Sequence, residues 1–325
     1  MRSANSVEIA IIGDAPYQSE DIDDIVEFPK LVSSINADPF VTTTVHVGDI
    51  KGGTTPCLDQ GYQDVYRLFQ TFDEPLIYSI GDNEWTDCDR PTAGSYDPEE
   101  RLDRLRDIFF ANPGTSMGGS TRLVEAQQSY PENQLWEEQG IVFGTLHVVG
   151  TNNNLIARSG MSSAVEQTAT GSSEYGRRNA ANILWMRSIF SRAMQNQSAG
   201  IVLFLHADMW KMREEFDETV LGGFTETIQE LSLQAEAFGK PVLIVSGDNQ
   251  YREDIGVPWF SLYGVSPVSN ITQIIVQRGV EYLSSSSRIR ISWLRLEADA
   301  SPEADAVFDW EQVSRSFVVP TTTSE

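Results

Sequence analysis

The stretch Val41-Thr42-Thr43-Thr44-Val45-His46-Val47-Gly48-Asp49 is a β-branched run that ends in Gly-Asp. A short apolar or β-branched run bounded by turn residues is typical of a buried strand. The same ending recurs where Val7 to Ile12 meets Gly13-Asp14 and where Pro75 to Ile80 meets Gly81-Asp82. The sequence therefore predicts several strands that deliver an aspartate at their carboxyl ends.

Helical patterns alternate with these strands along the chain. Apolar residues recur at helical spacing in Asp21–Ile35 (interrupted by Pro29), Gln63–Phe72, Leu102–Phe110, Asn179–Met194 and Thr225–Phe238. Further strands are predicted at Ile141–Val149, Ile201–Leu205, Val242–Val245, Ile271–Val276 and Ile289–Leu294. This alternation indicates an α/β core, and the late strands indicate a layered or sandwich-like extension.

Domain organisation follows from the absence of internal breaks in the pattern. The 325 residues contain neither an internal repeat nor a long Pro/Gly/Ser linker. We therefore expect one domain over residues 1–325. Residues 313–325, which become rich in Thr and Ser after Pro320, are expected to form a flexible tail.

Composition narrows the class of protein. Apolar residues make up 40 % of the chain, which is enough for a sizeable core, and no apolar run approaches the roughly 18 residues of a membrane span. The 23 basic and 47 acidic side chains leave a net charge of −24, which disfavours binding to nucleic acid. No feature of the sequence indicates an oligomeric state.

The two cysteines, Cys57 and Cys88, lie in two Pro/Asp/Thr-rich loops. They form either one disulfide, which would place the protein in an oxidising compartment such as the periplasm or outside the cell, or two free buried thiols. Residues 1–6 have no apolar region typical of a signal peptide, so the chain is either not exported that way or begins after one.

Carboxylates also follow later strands, at Asp208 and Asp248, and His206 accompanies the first of these. Ligands of open α/β sheets bind at the carboxyl ends of the strands, so these groups are expected to converge. Converging carboxylates repel one another unless cations lie among them, and this favours a divalent metal site. The alternative is that each Gly-Asp is an ordinary turn or helix cap.

The order of these motifs resembles the five-block pattern of the calcineurin-like metallophosphoesterases. The matching segments are Gly13-Asp14, Gly48-Asp49, Gly81-Asp82-Asn83-Glu84, His206 and Gly247-Asp248-Asn249-Gln250. Three further segments look closer to an atypical bacterial branch of that superfamily: Gly13 to Tyr17, Gly81 to Cys88 and Val148 to Asn154.

The resemblance implies a four-layer sandwich of two mixed β-sheets flanked by helices. It also implies hydrolysis of phosphomonoesters or phosphodiesters by two metal ions. Asp14 would bind the first ion, and Asp49 would bridge both. Asp82 matches the position of a ligand Asn and Asn83 that of a catalytic His, although a one-residue shift would make Asn83 the ligand. The remaining ligands would be His206, Asp248 and Gln250.

The sequence departs from the family pattern at two histidine positions, which hold Pro16 and Gln250. His46 and His147 lie within predicted strands, where a hydrogen-bonded core histidine is expected. The remaining donors are mostly oxygens, and such donors suit Mn²⁺, Mg²⁺ or Ca²⁺ better than Zn²⁺ or Fe. We expect two ions, or one if a site has been lost.

Residue roles follow from the same comparison. Asn83 can donate a hydrogen bond to a phosphoryl oxygen but cannot protonate a leaving group, so Glu84 or His206 would supply that proton. Asn152 and Asn153 are candidates for substrate binding, with a left-handed turn as the alternative. Arg252 is a candidate phosphate ligand, as are Lys51 and Arg90, with structural ion pairs as the alternative.

The predicted function is a metal-dependent phosphoesterase, a hydrolase acting on a small phosphorylated molecule through a metal-activated water. The missing histidines favour an alternative, a weak or inactive pseudo-phosphatase that serves as a binding or assembly module. A calcium-stabilised structural protein would also explain the acidity, but it would not explain the order of the blocks.

Overall fold

The computed structural model describes residues 5–17, 24–155, 173–211, 216–248, 253–256, 258, 260–283 and 288–318. The strands are β1 (Ser6–Ile12), β2 (Val41–His46), β3 (Leu76–Tyr78), β4 (Glu125–Gln127), β5 (Tyr130–Glu138), β6 (Ile141–Thr145), β7 (Gly200–Phe204), β8 (Val242–Ser246), β9 (Glu253–Gly256), β10 (Ile271–Ile275), β11 (Val280–Leu283), β12 (Arg288–Asp299) and β13 (Phe308–Val318). The helices are α1 (Asp24–Asn36), α2 (Asp59–Phe69), α3 (Pro98–Phe109), the single turn α4 (Gly150–Asn153), α5 (Glu174–Gln195), α6 (Glu218–Leu221) and α7 (Thr225–Phe238).

The strands form two mixed sheets. In the first sheet β1, β2 and β3 are parallel neighbours, and the long strand β12 pairs antiparallel with β1, β11 and β13. In the second sheet the order is β4-β5-β6-β7-β8-β10-β9, with β6, β7, β8 and β10 parallel. The continuous burial of the central strands explains why they are apolar runs rather than alternating patterns.

Three apolar clusters separate four layers. The cluster between the sheets joins side chains of the first sheet such as Ile9 and Val45 to side chains of the second such as Phe143 and Phe204. A second cluster packs the first sheet against α1, α2 and α3, and a third packs the second sheet against α5 and α7. The predicted four-layer α/β sandwich of two mixed sheets flanked by helices is therefore confirmed.

Local sequence explains where several helices begin and end. The Asp97 side chain caps α3 by accepting from the backbone N–H of Glu99, and Ser173 caps α5 in the same way. Helix α7 ends at Gly239, which has the left-handed conformation that glycine adopts readily. By contrast, α1 continues through Pro29, because the burial of Phe28 and Leu31 against the sheet offsets the lost backbone hydrogen bond.

The structure differs from the sequence prediction at the C-terminal end. Residues 313–318 are not a tail, since β13 pairs along β12 from Phe308 to Val318. Val313 and Phe317 pack against the apolar cluster that lies between the first sheet and helices α1, α2 and α3, and this contact holds the strand in place. Residues 319–325 lie outside the described residues, and the single domain stays a prediction. Among the helices described, none is long and apolar enough to cross a membrane.

A disulfide joins Cys57 to Cys88, with 5.8 Å between the Cα atoms. Of the two states left open by the sequence, the structure has the bridge. Cys57 lies in the loop after β2, and Cys88 lies in the 3₁₀ turn Thr86–Asp89 after β3. The bridge therefore ties together the two loops that carry Asp49 and Asp82.

We expect removal of this bridge to lower the free energy of unfolding. The Cys57→Ala, Cys88→Ala double variant should lose about 3 kcal/mol, because the bridge closes a loop of 31 residues in the unfolded chain. Denaturant unfolding of the variant and the oxidised wild type measures the difference. Equal midpoints and slopes for the two proteins would contradict this expectation.

Candidate metal centre

The site lies where the carboxyl ends of strands from both sheets meet. His206 follows β7 of the second sheet, and its Nδ1 lies 2.9 Å from the carbonyl oxygen of Val47, which follows β2 of the first sheet. The backbone N–H of Asp14 donates to the carbonyl of Gly48 at 3.0 Å, so the ends of β1 and β2 are also joined. The predicted convergence of strand ends is therefore observed.

Left-handed backbone turns direct three of the aspartates. The φ angles are 49° at Asp14, 61° at Asp49 and 59° at Asp248. Aspartate tolerates this region better than most residues, although it is uncommon outside glycine. Each turn comes directly after a Gly that follows a strand, so the recurring Gly-Asp pairs are turns that also bring a carboxylate to the sheet edge.

Asp49, Asp82 and His206 form a compact buried group. Their potential ligand atoms all lie within 4.8 Å of one another. The Nε2 atom of His206 is 3.2 Å from Oδ1 of Asp49 and 3.3 Å from Oδ1 of Asp82. Because Nδ1 lies within hydrogen-bond distance of the Val47 carbonyl, a proton on Nδ1 leaves the lone pair of Nε2 facing the two carboxylates, as in a metal-binding histidine.

Asp14 and Asp248 lie against the same group, and two glycines make room for them. A Cβ added to Gly247 would lie 3.2 Å from Oδ2 of Asp14. A Cβ added to Gly150 would lie 2.6 Å from Oδ2 of Asp82 and 2.8 Å from Oδ1 of Asp248. Any larger residue at either position would therefore press on the carboxylates.

Burial and mutual repulsion shift the proton affinities of these groups. Burial raises the pKa of Asp14 to about 8, against the opposing charge of His206 and with a further rise from Asp248. Burial likewise raises the pKa of Asp49 well above its usual range, and burial followed by the charge of Asp82 raises the pKa of Asp248. Without cations, Asp14 therefore holds a proton at neutral pH, and the charged forms of Asp49 and Asp248 are disfavoured.

The pKa values of Asp82 and His206, by contrast, shift so that both groups favour their charged forms. Burial alone would raise the pKa of Asp82, but His206 and Thr151 hold it far below its usual range. Burial alone would lower the pKa of His206, but Asp49 and Asp82 raise it well above its usual range. A cation among these oxygens would stabilise the carboxylates in their charged form.

The residues present fit a divalent metal. Oδ2 of Asp14 is buried and has no hydrogen-bond partner within the described part of the chain, and Nε2 of His206 is buried facing the oxygens of Asp49 and Asp82. Buried polar atoms without partners are costly, and a cation would satisfy both. The donors are carboxylate oxygens and one imidazole nitrogen, a set that suits a hard cation.

The residues after Asp82 take separate roles. The Asn83 amide donates to Oδ2 of Asp49 at 2.5 Å and to the Tyr17 hydroxyl at 3.2 Å. Because its amide N–H groups are turned toward the site, Asp82 stays the predicted ligand of this block. Oε1 of Glu84 accepts from the backbone N–H groups of Asp49 and Gly81. Glu84 is fully buried, so it serves as an internal hydrogen-bond acceptor rather than as the predicted proton donor.

The predicted substrate contacts have other partners. The Asn152 amide oxygen accepts from Gly223, and the Asn153 amide bonds to Gly223 and Arg178. These two side chains therefore belong to a buried turn, which was the alternative interpretation. Lys51 donates to the carbonyls of Gly52 and Asn83, and Arg90 pairs with Asp87. Gln250 and Arg252 lie outside the described residues.

The two remaining histidines lie in the core, as the sequence predicts. Both ring nitrogens of His46 have backbone partners, Ala15 and Gly48, and burial lowers its pKa to about 4. His147 pairs through Nδ1 with Glu132 at 2.9 Å. Neither imidazole is close enough to join the group of Asp49, Asp82 and His206.

Sequence reasoning missed four residues beside the site. The Arg278 guanidinium lies 4.4 Å above the ring of Tyr17, and its charge acts on Asp14. Burial, followed by the charge of Asp49, raises the pKa of Tyr17 to about 12. Thr151 contacts Asp82, and Lys211 lies 3.5 Å from Asp248. Tyr17 and Thr151 lay within segments that carry the family resemblance, whereas Lys211 and Arg278 come from segments that no motif marked.

Comparison with known proteins adds little at the level of sequence. No protein-family model and no curated protein matches this chain. A structure titled as Vps29 from Chaetomium thermophilum aligns at 9 % identity and TM-score 0.28, over 96 % of this chain and 98 % of that one. A second structure, titled as a novel phosphatase of Mycoplasma pneumoniae, aligns at 10 % identity and TM-score 0.41. The alignment covers 97 % of this chain and 95 % of that one. With such values, neither likeness bears on activity.

The raised pKa of Asp14 predicts a pH-dependent loss of stability in the metal-free protein. The folded state keeps a proton up to about pH 8 that the unfolded chain releases near pH 4, so stability falls as pH rises between these values. Asp14→Asn should therefore raise the melting temperature at pH 8, with the difference vanishing near pH 4. Thermal melts of the wild type and the variant in the presence of a chelator, at pH 8 and at pH 4, measure both differences in melting temperature.

The control is Asp305→Asn, since Asp305 lies exposed in a turn and should not change the melting temperature at either pH. Added Mn²⁺ should then stabilise the wild type more than Asp14→Asn, because the variant lacks a ligand. A variant that melts below the wild type in chelator at pH 8 would contradict the proposed repulsion.

Proposed function

We propose that this chain is a metal-dependent phosphoesterase that hydrolyses a small phosphomonoester or phosphodiester. The observation that carries the proposal is the meeting of Asp49, Asp82 and His206 within 4.8 Å, each from a different strand end. The unpartnered oxygen of Asp14, also buried at this edge, supports a second ligand set. Asp248 and Gln250 complete the proposed ligands, and the ions are Mn²⁺, Mg²⁺ or Ca²⁺.

Divalent ions supply positive charge at phosphoryl oxygens and lower the pKa of water. Asp49 holds the centre of the site, since it contacts His206 on one side and Asn83 on the other. The Asn83 amide is the neutral donor nearest to this carboxylate, and it can orient a phosphoryl oxygen. Tyr17 lies beside Asn83, whose amide donates to the tyrosine hydroxyl.

The placement of the three residues considered as proton donors limits the substrates that this site would process. Asn83 has no acidic proton, Glu84 is occupied with backbone N–H groups, and His206 is fully buried. The leaving group would therefore depart without protonation by these three residues. We propose that substrates with acidic leaving groups, such as aryl esters, are preferred.

The same observation favours a second candidate function. A site with one imidazole, in which none of Asn83, Glu84 and His206 is placed to donate a proton, would suit a pseudo-phosphatase that binds a phosphorylated partner without turnover. Buried carboxylates are costly unless they are paired, and the presence of Asp14, Asp49, Asp82 and Asp248 at one sheet edge, where Gly150 and Gly247 leave room for them, supports the enzyme. We therefore keep the enzyme as the main proposal.

The proposed compartment follows from the disulfide. Bridges such as Cys57–Cys88 persist in oxidising surroundings. We propose that the protein works in the periplasm or outside the cell. The partner proposed there is a small phosphorylated molecule rather than nucleic acid, because the net charge of −24 repels polyphosphate chains.

The direct test is metal-dependent hydrolysis by metal-stripped protein. We expect turnover of p-nitrophenyl phosphate or its bis ester on addition of Mn²⁺, Mg²⁺ or Ca²⁺ singly. Asp49→Asn should lower kcat at least about 10³-fold, because the central carboxylate is lost. The control Asp64→Asn changes an exposed ion pair with Arg67 and should leave turnover unchanged.

Failure of every metal to give turnover, together with a clear rise in melting temperature on metal addition, would favour the binding module. Failure of both turnover and stabilisation would remove the metal proposal altogether.

Asn83→His tests the missing proton donor. We expect hydrolysis of alkyl phosphate esters to increase by about 10²-fold, since general acid catalysis contributes on this scale. Hydrolysis of the p-nitrophenyl ester should change much less, because that leaving group needs no proton. The ratio of the two rates measures the effect, and an unchanged ratio would show that position 83 does not act on the leaving group.

A further inference from the structure

The turn α4 has an unusual backbone. Thr151, Asn152, Asn153 and Asn154 all have left-handed φ angles, between 53° and 59°. Asparagine tolerates this region, but a β-branched residue in it is a genuine outlier, because Cβ and its substituents crowd the backbone. Thr151 is therefore strained in a way that its three neighbours are not.

Buried contacts hold this turn in place. Arg178, which is 0 % exposed, donates to the side-chain oxygen of Asn153 at 2.6 Å and to its backbone carbonyl at 2.9 Å. The backbone N–H of Gly223 donates to the amide oxygen of Asn152 at 2.7 Å. Strained backbone persists only where such surroundings over-determine it, and it is concentrated at functional sites.

The strained residue contacts a proposed metal ligand. Oγ1 of Thr151 donates to Oδ2 of Asp82 at 2.5 Å. The other oxygen of Asp82, Oδ1, is the one that lies 3.3 Å from Nε2 of His206. The two oxygens of one carboxylate therefore have different partners, a hydroxyl on one side and the proposed metal-binding group on the other.

We propose that Thr151 is a positioning residue whose hydroxyl holds Oδ2 of Asp82, so that Oδ1 alone faces the metal. The inference rests on the metal site of the proposed function. It explains why a β-branched residue remains at a position where glycine or asparagine would be unstrained. It also gives the buried Arg178 a role, since Arg178 fixes the turn from which Thr151 reaches Asp82.

The test separates the hydroxyl from the strain. Thr151→Ser keeps the hydroxyl without the β-branch, Thr151→Val keeps the β-branch without the hydroxyl, and Thr151→Gly removes both. Mn²⁺ affinity of each full-length, metal-stripped variant is measured from the electron paramagnetic resonance signal of free Mn²⁺. Gln139→Gly serves as the control, because Gln139 is exposed and left-handed in the turn between β5 and β6.

We expect Thr151→Ser and Gln139→Gly to bind Mn²⁺ within about threefold of the wild type. Thr151→Gly and Thr151→Val should bind about 10–100-fold more weakly, the scale seen when a group that orients a metal ligand is removed. Circular dichroism confirms that each variant folds. If Thr151→Val does not fold, the comparison of Thr151→Gly with Thr151→Ser still decides the question.

Two outcomes would overturn the inference. Thr151→Gly that binds like the wild type would show that the hydroxyl does not position Asp82, and Thr151→Ser that binds as weakly as Thr151→Gly would show that the methyl group matters instead. Wild-type protein that binds Mn²⁺ but hydrolyses no phosphate ester would contradict the proposed function alone, because the positioning of Asp82 concerns binding.

Discussion

The structure depends on four carboxylates that surround one imidazole at the edge between two sheets, three of them buried and Asp248 partly buried. Taking one charged group out of water costs several kcal/mol even after relaxation, which is a large share of the 5–15 kcal/mol that stabilises a typical domain. Burial raises the pKa of Asp14 and Asp49 in response, while His206 holds the pKa of Asp82 low. Such an arrangement is stable only with protons or cations among the oxygens.

Besides the contacts that Thr151 and Asn83 make with the carboxylates, the surrounding fold holds the backbone of the site in place. Glu84 accepts from the N–H groups of Asp49 and Gly81, and Lys51 donates to the carbonyl of Asn83. The bridge Cys57–Cys88 joins the same two loops covalently. The charged residues nearest to the motifs are therefore structural, which leaves few groups for acid–base chemistry and limits the proposed reaction.

Much of the framework followed from local patterns. Helix α7 was predicted at its observed bounds, and the central strands were found because buried parallel strands are continuous apolar runs. The strands β5 and β13 were missed because many of their residues are polar and lack the continuous apolar run of the central strands. Pairing with neighbouring strands outweighs local preference there. The recurring Gly-Asp pairs identified Asp14, Asp49 and Asp82 because each directly follows a strand.

By itself, the sequence determined the strand-end aspartates and their order, because turn chemistry and apolar runs are local properties of the chain. Only the tertiary structure decided which oxygen or amide faces the site. It placed Asn152 and Asn153 in a buried turn, and it brought Thr151, Tyr17 and Arg278 close to the carboxylates. Contacts between residues far apart in the chain arise from the packing of two sheets, and no local pattern records that packing.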